Sequence, residues 1–126
     1  MSPLALRRPY RYAYGVCAPS RPTPWANGLA KLDLGDPSAS SAPGPAKVWS
    51  AAPGGLPSEP IFVPRPGAAG GRISREDDGV VLSVVSDGAK GSAFLVVLDA
   101  ATLTELARAE ATFQLPASFH GHWFSS

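Results

Sequence analysis

The sequence holds one cysteine, Cys17, and two histidines, His120 and His122. A lone thiol cannot close an internal disulfide, which excludes a secreted disulfide scaffold. Two imidazoles cannot complete a site that needs three or four. No apolar run approaches the ~18 residues that span a bilayer. Charge of one sign is also missing: Lys+Arg 11 against Asp+Glu 10 gives a net charge of +1. The basic excess of a nucleic-acid binder is therefore absent. There is no Walker A sequence, no G-x-S-x-G and no Cys/His zinc spacing. No apolar core of a secretory signal is present near Met1. With 126 residues there is room for one domain at most.

What the chain has in excess is Gly and Pro, 13 and 14 residues. Eleven of the prolines fall between Pro19 and Pro66. Each removes a backbone donor and biases its predecessor to extended geometry, so no useful helix fits there. Short β-prone islands lie between them: 28–34, 46–49 and 59–63. In the first, Leu29, Lys31 and Asp33 share one side and Leu32 and Leu34 the other. The stretches 36–45 and 67–75 are low-complexity loops.

The second half is cleaner. The runs 79–86 (GVVLSVVS) and 92–99 (SAFLVVLD) are β-branched and joined by DGAKG, which predicts a hairpin. Their near-continuous apolar character predicts strands buried on both faces. The segment 101–111 (ATLTELARAEA) is ambiguous: propensity favours a helix, while alternation of Leu106, Arg108 and Glu110 with Ala107, Ala109 and Ala111 allows a strand. Islands near 10–14, 29–34, 46–49, 59–63, 79–86, 92–99 and 105–111 have the regular spacing of a sandwich, barrel or propeller. As a propeller the chain makes about one and a half four-stranded blades. Basic residues Arg7, Arg8, Arg11, Arg21 and Lys31 precede the first acid, Asp33. They weakly resemble an organelle transit peptide, but read better as a basic strand edge, with Tyr10, Tyr12 and Tyr14 alternating beside them.

Three segments could carry chemistry. In Phe119-His120-Gly121-His122-Trp123, two imidazoles on an extended segment point the same way, which suits a metal. As a lone motif this is weak, because paired histidines near a chain end are commonly solvated or stacked on aromatics. Phe119, Trp123 and Phe124 are three large rings in six residues, so this tail is expected to dock into a core. Glu59 opens the apolar segment 59–63. A carboxylate there needs a partner or solvent, and an imidazole N–H is a suitable partner. Glu76-Asp77-Asp78 lacks the alternation of a calcium loop and reads as a solvated turn.

Taken together, RPYRYAYGVC (8–17), GLAKLDL (28–34), SEPIFVPRP (58–66), EDDGVVLSVVSD (76–87), SAFLVVLDAATLTELARAEA (92–111) and FHG (119–121) resemble the C-terminal part of the carotenoid cleavage oxygenase family. The resemblance covers nearly the whole chain, in the family's order, and favours the strand over the helix at 105–111. It implies an all-β fold: the C-terminal blades of a seven-bladed β-propeller, antiparallel strands with long Pro/Gly loops. Residues 1–126 would be a fragment of that propeller domain. The implied cofactor is Fe(II), held by four histidines from different blades, with glutamates behind some of them. The terminal FHG motif puts one ligand at His120, and the SEPIFVP motif puts one such glutamate at Glu59. His122 matches no ligand position. Neutral imidazoles suit Fe(II), and a carboxylate behind one fixes its tautomer.

The implied reaction is oxidative scission of a C=C bond of a carotenoid or apocarotenoid by O2. The partners are that substrate, O2 and the upstream blades that carry the other histidines. No nucleic acid is expected, and membrane contact would come only from parts outside this chain. The resemblance leaves an intracellular compartment open, plastid or cytoplasm. A non-catalytic remnant that binds isoprenoids or a partner chain is the alternative reading, since three of the four ligand histidines are missing here.

Overall fold

The structure is a computed structural model. It describes residues 10–19, 25–36, 41–66, 75–116 and 120–124. Arg7, Arg8, Arg21, Phe119 and the GAAGG segment 67–71 lie outside the described residues, as does part of the 36–45 loop. Eight strands appear and, among the described residues, no helix: β1 (Tyr12–Cys17), β2 (Gly28–Asp33), β3 (Lys47–Ser50), β4 (Gly55–Pro57), β5 (Ile61–Pro64), β6 (Gly79–Asp87), β7 (Ser92–Asp99) and β8 (Glu105–Ala111). All pairings are antiparallel. The first sheet runs β1-β2-β3. The second has β7 on one edge of β6 and β8 beyond it, while β4 and β5 share the other edge of β6. The second sheet is therefore four strands wide, the pattern of one propeller blade.

The shared edge matters for the site. β4 pairs with 85–87 and β5 with 79–82, so Ser58, Glu59 and Pro60 bridge a gap in one interrupted strand. Pro60 has no N–H to give to the ladder. Ser58 compensates: its N–H donates to Val84 O at 2.8 Å, and its Oγ accepts from Val84 N at 3.0 Å. Ser83 Oγ donates to Ser58 O at 2.8 Å. Glu59 follows this anchored residue at a point where the ladder is open.

The core lies between the two sheets. Val81 and Val85 of β6 face Leu98 and Phe94 of β7 across the register, with Val96 opposite Ser83. Leu29 of β2 and Phe62 of β5 join them, with Tyr14 and Trp49 packed against the cluster. Tyr14 stacks on Phe62 with centroids 6.0 Å apart, and its hydroxyl donates to Ala100 O at 2.8 Å. The hairpin expectation holds, but burial on both faces does not. Val80, Leu82, Val84, Leu95 and Val97 are only half-buried, because they point away from the inter-sheet core.

The segment 105–111 is a strand despite its helix-forming composition. Pairing with β7 overrides propensity. A bulge opposite Val97 and Leu98 puts Glu105, rather than Leu106, in line with Arg108 and Glu110. Arg108 is bidentate to Glu105 at 2.6 and 2.9 Å and lies over the Phe94 ring at 4.1 Å. Leu106 is exposed. In the turn before β8, Leu103 has φ 57°, a left-handed conformation that costs a non-glycine residue about 1–2 kcal/mol. Burial of its side chain in the core offsets that strain.

The acidic run 76–78 is not a solvated turn. Each carboxylate ties a different part of the chain. Glu76 accepts from the backbone N–H groups of Arg11 and Tyr12, at 2.8 and 2.9 Å for the shorter bonds. Asp78 pairs with Arg65 Nε at 2.9 Å. Asp77 is buried and pairs with Lys31 Nζ at 2.6 Å. Lys31 is itself only 4% exposed. Its Nζ also donates to Ala101 O at 3.1 Å and sits 3.9 Å from the Tyr12 ring centroid. The alternation of β2 is as expected, and the inward side carries Leu29 and Lys31, at 1% and 4% exposed, while Leu32 is 45% exposed.

Removing one partner of a buried pair leaves an uncompensated charge. Asp77→Ala and Lys31→Met are each expected to lower unfolding free energy by about 3 kcal/mol, and the double variant by less than the sum. Urea denaturation measures this, and single-variant losses below about 0.5 kcal/mol would contradict it. A second expectation concerns acid. Arg11 hydrogen-bonds Asp33 bidentately, 2.8 Å for each bond, and with the Gly35 N–H holds the Asp33 carboxyl down to about 2. A carboxyl depressed on folding stabilises above its unfolded value, about 3.9, and that support is lost as pH falls towards 2. The acid stability curve of Asp33→Asn should be flatter over this window than that of the unsubstituted chain. Identical curves would contradict it.

Candidate metal-ligand arm

Glu59 and His120 lie 61 residues apart, and the fold brings them together. Ser58 anchors the interrupted strand, so the Glu59 side chain leaves the sheet edge where the ladder is open. His120 Nδ1 and Glu59 Oε2 are 3.0 Å apart. Gly121 N donates to Glu59 Oε1, also at 3.0 Å. Each carboxylate oxygen thus has its own partner in the tail. The Gly121 N–H and, after it, the His120 ring hold the Glu59 carboxyl below its ordinary range. An ionised carboxylate only accepts, so Nδ1 of His120 carries the proton in this contact. That leaves Nε2 as the nitrogen with the lone pair a metal takes.

The imidazole is 87% exposed in this chain. Among the described residues, no group of three or more His, Cys, Asp and Glu side chains could hold a metal. The donor chemistry therefore fits one arm of an imidazole site: a ring oriented from behind by a carboxylate, with its other nitrogen turned to a metal. It does not fit a complete site. His122 takes no part in the contact, and its ring meets Phe124 edge-on at 4.9 Å.

Among the described residues, the rings of the tail are not docked. Trp123 is 51% and Phe124 82% exposed, while Phe119 lies outside the described residues. Within the described residues, hydrogen bonds to Glu59 attach the tail, and no layer covers the rings. Sequence reading missed Gly121 as a contributor, because a backbone N–H carries no residue signature.

A cavity of about 370 Å3 sits elsewhere, over the Lys31–Asp77 pair. Lys47, Arg75, Asp33 and Tyr12 help to line it. Charges on this scale do not suit an apolar polyene, and the cavity does not include Glu59 or His120.

A family model described as retinal pigment epithelial membrane protein matches residues 1–125. The chain belongs to the carotenoid cleavage oxygenase family. It is 41% identical over 123 residues to carotenoid cleavage dioxygenase 8, chloroplastic, of Arabidopsis thaliana, covering 98% of this chain and 19% of that protein. It is 40% identical over 119 residues to torulene dioxygenase of Fusarium fujikuroi, covering 94% of this chain and 18% of that protein. Among solved structures, the cobalt-substituted apocarotenoid oxygenase of Synechocystis superposes with a TM-score of 0.80 at 32% identity, covering 98% of this chain and 24% of that one. The chain spans about a fifth of the length of these curated relatives. Its all-β architecture is that of the propeller oxygenases, as the sequence resemblance implies. The cobalt in that solved relative marks its enzyme as one that accepts a metal.

Proposed function

We propose that the chain forms the C-terminal blades of an Fe(II)-dependent dioxygenase that cleaves a C=C bond of a carotenoid or apocarotenoid with O2. In this reading residues 1–126 supply one iron ligand, His120, and the carboxylate behind it, Glu59. The observation that carries it is the Glu59–His120 contact at 3.0 Å, in a chain of this family. The remaining ligands would come from upstream blades. The plastid is the compartment supported by the relatives named as chloroplastic.

Bound Fe(II) would supply an open coordination position at which O2 reacts. The chain's own part is orientation and proton placement. Glu59 keeps the proton of His120 on Nδ1, so that Nε2 presents its lone pair. The same hydrogen bond raises the basicity of the ring as a ligand. Ser58, through its bonds to Ser83 and Val84, holds the backbone from which Glu59 reaches. The alternative, a non-catalytic isoprenoid-binding remnant, draws on the incomplete donor set among the described residues. One experiment separates the two.

The chain is produced together with a polypeptide carrying the family's other three histidines, loaded with Fe(II), and given an apocarotenoid in air. Cleavage to two carbonyl products is expected, abolished by His120→Ala and retained by His122→Ala. Glu59→Ala should weaken iron retention or turnover by about 10- to 100-fold. Apocarotenoid binding that quenches tryptophan fluorescence without iron, with no cleavage in any mixture, would instead support the remnant.

A further inference from the structure

We infer that the Gly121 peptide N–H is a positioning element for His120: it claims one oxygen of Glu59, so position 59 must be an acid whose second oxygen keeps the His120 proton on Nδ1. This deepens the metal-ligand reading and rests on it only for its consequence at the metal. The clamp itself is a property of the described residues.

Two N–H groups meet Glu59, one from the Gly121 backbone and one from the His120 ring, each 3.0 Å from a different oxygen. Both demand an acceptor, and only a carboxylate offers two oxygens with no hydrogen. An amide of the same shape offers one oxygen and one NH2 group. The backbone N–H cannot change its role, because a peptide nitrogen is always a donor. The ring can, by moving its proton to Nε2. In a Glu59→Gln chain, the peptide N–H would keep the amide oxygen. The amide NH2 would then face Nδ1, and the ring would turn into the tautomer that cannot present Nε2 to a metal. Gly121 thereby decides why position 59 needs an acid.

The close fit of Gly121 supports this. A Cβ on residue 121 would come within 2.8 Å of the Ile61 δ-methyl on β5. The tail therefore approaches β5 closely at the residue whose N–H reaches Glu59, two positions before Ile61.

The test uses the 126-residue chain without metal, at a pH above the ordinary imidazole range, about 8. Long-range 1H–15N NMR reads the tautomer of His120, with His122 as the internal comparison. Amide exchange of Gly121 is read in the same samples, with Val81 and Val96 of the core as references. In the unsubstituted chain, His120 should be the Nδ1–H tautomer and the Gly121 amide should be slowed. Glu59→Gln should keep the Gly121 amide slowed and switch His120 to Nε2–H. Glu59→Ala should speed Gly121 exchange by about tenfold or more and lower the Nδ1–H share of His120. A Glu59→Gln chain whose His120 stays Nδ1–H would overturn the inference, because the ring and not the peptide would then command the oxygen. So would a Gly121 amide that exchanges equally fast in all three chains. Neither result depends on iron. Failure of the metal reading would appear in the cleavage experiment and leave this outcome unchanged.

Discussion

The buried Lys31–Asp77 ion pair is the constraint on which the two-sheet arrangement depends. Lys31 comes from the middle of the first sheet, and Asp77 from the turn that enters β6 of the second. Two charges removed from water are tolerated only when paired and further hydrogen-bonded. Lys31 meets that condition with Asp77, the Ala101 carbonyl and the face of Tyr12. Its neighbours in the acidic run extend the same joint, Glu76 holding the start of β1 and Asp78 holding Arg65 after β5. Apolar packing of Leu29, Tyr14 and Phe62 fills the space between the sheets. The ion pair sets which residues of β2 can face inward, and hence the register in which that packing occurs.

The site inherits its position from the second sheet. Hydrogen bonding along β6 is continuous on the β7 side and broken on the other, where Pro60 cannot donate. A serine bonds across the break, and Glu59 stands outside the ladder. The tail then returns to that point and is caught by both oxygens of one carboxylate. Fold and chemistry are thus linked by a defect in a strand: a complete ladder there would have left Glu59 in an ordinary strand position.

The legible parts of the fold are those written in local pattern. The β6–β7 hairpin follows from two β-branched runs and the DGAKG turn, and the alternation of β2 follows from its sequence. The polarity of β2 was not legible, because nothing local says that Lys31 will meet an aspartate 46 residues later. β4 gave no signal, being three residues, Gly55–Pro57, among prolines. The segment 105–111 has the composition of a helix, and the family resemblance, not its own residues, favours the strand. Spacing alone leaves Glu59 and His120 as two weak candidates, the resemblance gives each a role, and only the fold brings them together. The Gly121 N–H was invisible at every level of sequence reading, because the chemistry belongs to the backbone.

In the proposed site, His120 presents Nε2 to the iron while Glu59 holds Nδ1. The most direct measurement is a crystal structure of the assembled, metal-loaded protein with anomalous scattering at the metal edge. One peak is expected at about 2.1 Å from His120 Nε2, in the range of metal–imidazole bonds, with Glu59 still on Nδ1. A metal bound with His120 outside its coordination sphere, or held through His122 instead, would contradict it.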